Sequence, residues 1–185
     1  TLTVAQTWNV SAMQEFGAAL GREQRGKGTN VMLGPGVCLA RVPQGGRNME
    51  YLGEDPHLAY KMAFASVTGT QSEGVVACVK HWGNNNQEGP GHNGRLYVSE
   101  SVPDRAQHEL YMPPFAGAVD AGVGAAMCSY NLVNGTYAVQ YDCRVDVSAS
   151  VCVSLCVSVS VLYTNSVWSR HVRLRERSVV VTAEE

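Results

Sequence analysis

The sequence predicts an α/β fold: a partial (β/α)8 TIM-type barrel with parallel strands, incomplete on its C-terminal side. One reason is rhythm, because short apolar runs alternate with longer amphipathic ones as strand, helix, strand, helix, strand. Another is placement, because polar residues gather just past each apolar run, where α/β folds put their ligand crevice. Residues 76–88 are the sharpest case, an apolar run ending in Lys80, His81 and then Asn84, Asn85 and Asn86. Lysine donates, amides donate and accept, and histidine does either by tautomer, a set suited to a polyhydroxylated ligand.

Each element follows from periodicity and punctuation. Met13, Phe16, Ala19, Leu20 and Glu23 recur at helical spacing over 11–26, with Ser11 as the expected N-cap and Gly26 and Gly28 as the stop. A short strand at 30–33 ends in Gly34-Pro35-Gly36. A second helix is expected over 54–74, with Pro56 near its first turn and Leu58, Met62, Ala63, Ala65 and Val67 on its apolar face. Residues 75–80 form the next strand. Residues 101–120 read as helix broken or kinked at Pro113-Pro114, and 123–129 as a third strand. A closed barrel takes about 250 residues, more than this patterned region provides.

Past residue 138 the character changes. Residues 144–161 alternate Val or Leu with Ser or Cys at the period of a strand, over about three times the ~5–6 residues of a usual strand. Arg170, Arg173, Arg175 and Arg177 follow, read as a solvated tail in preference to a basic binding patch. The expected organisation is a fold fragment over 1–138 and a divergent low-complexity tail over 139–185 outside it. Such composition suggests translated non-coding or out-of-frame sequence, and an uninterrupted reading frame in the spliced transcript would argue against that.

A net charge of -2 gives no general attraction to nucleic acid or an anionic membrane. No apolar run approaches the ~20 residues of a membrane span. The chain begins at Thr1 instead of Met, so a partial product is expected and secretion is left open. Asn9-Val-Ser11 and Asn134-Gly-Thr136 fit the N-glycosylation pattern of a secreted protein. None of Cys38, Cys78, Cys128, Cys143, Cys152 and Cys156 forms a Cys-x-x-Cys pair, which weakens zinc and redox readings. Cys78 and Cys128 are expected inside strands as small hydrophobes.

Four segments then act together: Gly46-Arg47-Asn48-Met49-Glu50, Lys80-His81 running to Gln87-Glu88, Asp104-Arg105 running to Phe115, and Met127-Cys128-Ser129-Tyr130-Asn131. In this order and spacing they resemble the N-terminal catalytic domain of glycoside hydrolase family 3, of the β-glucosidase/β-xylosidase type, over roughly residues 7–138. The resemblance implies a secreted, retaining, exo-acting hydrolase that releases terminal glucose or xylose from a β-glucoside or β-xyloside oligosaccharide. Its mechanism would be double displacement through a covalent glycosyl-enzyme, with no metal or organic cofactor.

The resemblance also implies substrate-binding roles. Arg47 would offer a fork of donors to neighbouring hydroxyls, Lys80 and His81 would bond ring hydroxyls, and Met127 would pack on the apolar sugar face. Tyr130 would orient the nucleophile. Arg95 is a possible match to a family arginine, behind what resembles an insertion at 89–94. The family's nucleophile is an Asp in a Ser-Asp-Trp-like motif on the strand after Ser-Tyr-Asn, and its acid/base Glu comes from the following domain. Asp142 and Asp146 are the only aspartates after Tyr130 and lack those flanks. Both catalytic carboxylates are thus expected to be absent. The chain alone is expected to be inactive, either a non-catalytic sugar-binding remnant or a non-functional truncated product. The family's β-N-acetylhexosaminidase branch carries Lys-His-Phe-Pro-Gly-His-Gly; here Lys80-His81 precedes Trp-Gly-Asn and Pro90-Gly-His92 comes too late, which favours the glucosidase/xylosidase branch.

Structural readings stand beside these. Arg47 also suits an ion pair with Glu50 or Asp55 at a turn, and Lys80-His81 a purely structural place after a strand. Asn84, Asn85 and Asn86 suit a loop in which at least two bond their own backbone. Glu88 is structural by resemblance, Arg105 and Glu109 fit an ion pair on a helix face, and His92 and His108 read as surface residues.

Overall fold

The computed structural model describes residues 1–89 and 94–138, together with the backbone of Ser158–Val159 and Val179–Val181. The chain opens with a one-turn helix, α1 (Leu2–Ala5), and then α2 (Val10–Gly26). The N-cap of α2 is Asn9, whose side-chain oxygen accepts from Ala12 N at 3.1 Å, and not Ser11 as periodicity had suggested. The buried stripe of α2 is Met13, Gly17 and Gly21. Glycines carry no hydrophobic signal, so the sequence pattern pointed at the neighbouring Phe16, Ala19 and Leu20, which are only half-buried, and at exposed Glu23.

Three parallel strands carry the fold: β1 (Val31–Met32), β2 (Val76–Trp82) and β4 (Ala125–Cys128). Val31 stands opposite Val76, and Cys78 opposite Ala125. Pairing with β2 continues past β1, since Cys78 N donates to Gly34 O and Lys80 N to Pro35 O. Helix α3 (Pro56–Ser72) crosses from β1 to β2; Asp55 caps it by accepting from Leu58 N at 2.9 Å, and Pro56 opens it where a missing N–H costs nothing. The crossover from β2 to β4 holds β3 (Ser99–Glu100), α4 (Asp104–Ala106), a π-turn at Gln107–Tyr111 and α5 (Pro113–Asp120). The break expected at Pro113-Pro114 is thus where one helix stops and the next begins.

The helices lie unusually close. A Cβ at Gly69 would fall on the Gln14 carbonyl of α2, and one at Gly117 on the Tyr60 carbonyl of α3. Gly69→Ala is therefore expected to cost about 1–3 kcal/mol through forced separation of α2 and α3, read as a lowered urea midpoint. An unchanged midpoint would contradict this packing. Between helices and sheet lie Met13, Met62, Val67, Ala77, Val79, Trp82 and Phe115.

A second, three-stranded sheet was not expected from the sequence. In it β3 runs parallel to β5 (Leu132–Val133), which turns back antiparallel into β6 (Thr136–Tyr137). Asn134 and Gly135 take φ of 49° and 83°, the backbone of a tight Asn-Gly hairpin turn. Of the 139–185 tail, Val179–Val181 (β8) pairs parallel with β4 and Ser158–Val159 (β7) with β8; the rest lies outside the described residues.

Candidate sugar-binding site

The candidate residues come from the loop after β1, the end of β2, the segment before β3 that carries Arg95, and the end of β4. A 3₁₀ turn at Asn48–Glu50 follows Arg47. With three residues per turn, positions three apart share a face. Arg47 and Glu50 accordingly meet edge to edge: Nε donates to one Glu50 oxygen and Nη2 to the other, both at 2.7 Å. Asp55 takes no part, being occupied as the cap of α3. Gly46, at φ 75°, lets this loop lie against Glu88; a Cβ there would meet the Glu88 side chain at 2.9 Å.

Lys80 and His81 sit at the end of β2, where the register to β4 shifts between Lys80 and Trp82. Lys80 Nζ lies 3.2 Å from the Glu50 oxygen that already receives Arg47 Nη2. Arg47 Nη1 donates to His81 Nε2 at 3.1 Å. An arginine only donates, so this nitrogen is the acceptor and Nδ1 carries the proton, facing Tyr51 Oη at 3.4 Å. Tyr51 in turn donates to Asn85 O at 3.1 Å and accepts from Asn85 Nδ2 at 3.0 Å. Arg47, Lys80 and His81 therefore converge on one place. The pairing of Arg47 with Glu50 and its approach to His81 are not alternatives; both exist.

Glu88 links the far side, accepting from Asn85 Nδ2 at 2.7 Å with Arg47 at 3.6 Å and Arg95 at 3.5 Å. The Arg95 guanidinium lies over the Tyr130 ring, 5.1 Å from its centroid. Met127 is the strand partner of Lys80 across the β2–β4 pair. All six residues picked from the sequence thus belong to one connected region, with Tyr130 the most exposed of them.

Electrostatics keep the cluster in fixed charge states. Hydrogen bonds from Arg47, helped by Lys80, hold the Glu50 carboxyl down at about 2 in spite of partial burial. Burial, with the Arg47 and Lys80 charges behind it, lowers His81 to about 3, so the ring stays neutral. Burial pushes the Tyr51 phenol and the Cys38 thiol up. Cys38 lies beneath the site, its sulfur donating to His81 O and accepting from His81 N, each at 3.4 Å.

The three asparagines are tied to distant segments and not to their own backbone, which corrects that expectation. Asn84, buried at φ 65°, donates to Gln107 Oε1 at 2.7 Å, and Asn86 bonds Glu100 through both N and Nδ2. Arg105 and Glu109 do pair, at 3.0 Å on an exposed face, and His108 is exposed; His92 lies outside the described residues. Tyr51 was the partner that sequence reading missed; Glu50 was foreseen beside Arg47, but not as the carboxylate that Lys80 also reaches.

Glu100, held on β3, is raised by burial to about 7, against the two bonds from Asn86. The folded chain therefore holds this proton more tightly than the unfolded one, whose ordinary value is 4.5. Stability from this group is full below about 4.5 and lost as pH rises through about 7. Urea midpoints are expected to fall over that window in the wild type and less steeply in Glu100→Gln. Equal slopes would mean that Glu100 does not titrate there.

Residues 1–149 match the glycosyl hydrolase family 3 N terminal domain. The chain belongs to this family. A probable beta-glucosidase of Arthroderma benhamiae is 44% identical over 146 residues, covering 74% of this chain and 18% of that protein. A beta-glucosidase of Bacteroides ovatus is 42% identical over 139 residues, with 75% and 18% covered. Among solved structures, beta-glucosidase 3B of Thermotoga neapolitana superposes with a TM-score of 0.72 at 40% identity, covering 77% of this chain and 20% of that one. The family 3 chain thus spans less than a fifth of the length of these curated relatives. Its fold is α/β, with β1, β2 and β4 as successive units of a partial TIM-type barrel. Among the described residues no helix is long and apolar enough to cross a membrane.

Proposed function

We propose that this chain carries the sugar-gripping part of a secreted, exo-acting, retaining β-glucosidase-like hydrolase, and that Arg47, Lys80, His81, Met127 and Tyr130, with Arg95 at the rim, hold the terminal glucose or xylose of a β-glycoside. The observation that supports it most is the convergence of a guanidinium, an ammonium and a neutral imidazole beside one another, with Met127 next to Lys80. After Glu50 and His81 are satisfied, Arg47 and Lys80 retain unclaimed N–H donors, the groups that ring hydroxyls require. Bonds of this kind that tighten as the ring flattens are what lower the barrier to glycosidic cleavage.

Hydrolysis needs two carboxyl groups about 5–5.5 Å apart in a retaining enzyme. Glu50 and Glu88 lie in the cluster, but both are bonded to cations that keep them as anchors. The 185 residues carry no Ser-Asp-Trp-type segment after Tyr130, and Asp142 and Asp146 lie outside the described residues. The chain alone is accordingly read as binding a sugar without turnover. Calorimetric titration with glucose, run beside an assay on p-nitrophenyl β-glucoside, tests it. Saturable heat without nitrophenol release is expected; release would overturn the inactivity, and no heat would overturn the binding.

A further inference from the structure

We infer that Glu50 is a positioning residue for sugar recognition, holding Arg47 and Lys80 side by side as donors to one ligand; this rests on the sugar-binding reading above. Its two oxygens do different work. One takes Arg47 Nε, and the other takes both Arg47 Nη2 and Lys80 Nζ, so that a single oxygen sets the spacing between the two cations. The bidentate grip also fixes how the guanidinium plane is turned. With Nη1 on His81, the protons left over can point in few directions.

Glu88 does not duplicate this role. Its closer bond is to the Asn85 amide, it stands 3.6 Å from Arg47, and its other oxygen faces Arg95. Among the described residues, the ion pair of Lys80 is with Glu50. The Lys80 and Arg47 side chains are only 15% and 21% exposed, so screening by water is partial and their mutual repulsion would part them without a carboxylate between. Lysine and arginine stems are long and flexible, and a donor pair free to splay would lose the alignment that a rigid pyranose needs.

The test uses the full 185-residue chain, its Glu50→Gln and Glu50→Asp variants, and two readouts. Glucose affinity by calorimetry is expected to fall about tenfold or more in Glu50→Gln, the size of one lost charge-assisted hydrogen bond, and to recover in part in Glu50→Asp. In nitrogen-15 NMR, the Arg47 Nε–H signal is expected to exchange slowly in the wild type and fast in Glu50→Gln. A Glu50→Gln chain that melts lower but binds glucose with unchanged affinity would overturn the positioning role and leave a structural one. If the wild-type chain binds no glucose, the sugar-binding reading fails instead, and an Arg47 signal indifferent to Glu50→Gln then overturns the positioning separately. Should Glu50→Gln not fold, Glu50→Asp carries the same comparison.

Discussion

Arg47→Ala is expected to weaken glucose binding by the chain about 100-fold or more. Of the five guanidinium N–H donors three are held by Glu50 and His81, so the change removes up to two charge-assisted donors from the ligand, each of order 1.5–3 kcal/mol, and also the group that seats His81 Nε2. It further frees Glu50 to pair with Lys80 alone, drawing that ammonium away from the cleft. Arg47→Lys is not expected to rescue affinity. A lysine is a point charge with no planar fork, and it cannot bond both Glu50 oxygens while reaching His81. Calorimetric titration of both variants checks this, with circular dichroism to show that the helices and sheet persist. A tenfold loss or less in Arg47→Ala would move the ligand away from this guanidinium.

Trp82→Ala is expected to produce the largest loss of stability, about 3–5 kcal/mol in urea unfolding. Trp82 is 6% exposed and meets Phe115 of α5 edge-on at 5.0 Å, which fastens the end of β2 to the helix layer. Its carbonyl accepts from both Ser129 N and Ser129 Oγ, joining the loops that follow β2 and β4. The residue before it is His81 and the residues after it lead to Asn84, so this one indole anchors the platform on which the site stands. A cost below about 1 kcal/mol would show that the platform is held elsewhere.

The large outlines were legible in the sequence because they rest on long periodic segments. The second helix has apolar residues at helical spacing, and the run into Lys80-His81 has the length of a strand with a glycine before it and a polar cluster after it; the structure has α3 and β2 there. The extent of the first helix was readable for the same reason, but not its buried face, because Gly17 and Gly21 touch α3 through backbone and leave no hydrophobic trace. The small β3-β5-β6 sheet escaped because its strands are two residues long, too short for any period. Its one local signal was Asn134-Gly135, a hairpin turn dipeptide that also fitted the glycosylation triplet. The structure uses Asn134 as the turn residue, its amide bonded both ways to the Val102 backbone at 2.9 and 2.8 Å.

The candidate site divides in the same way. The identities of Arg47, Lys80, His81, Met127 and Tyr130 were readable because they stand in recognisable segments. Their mutual wiring was not, since it depends on which of several carboxylates a cation reaches in three dimensions. Arg47 had two nearby choices, Glu50 and Asp55, and the capping of α3 by Asp55 decides between them. The asparagines after β2 suggested a self-contained loop, whereas the structure sends each to a different neighbour, Gln107, Tyr51 and Glu100.

The central claim is that three side chains, one from the loop after β1 and two from the end of β2, grasp one sugar ring. The structure of this chain crystallised with β-D-glucose tests it most directly. Arg47, Lys80 and His81 should each place a nitrogen within hydrogen-bond reach of hydroxyls on a single pyranose, with Met127 against its apolar face. A glucose bound elsewhere, or touched by only one of the three, would contradict the account.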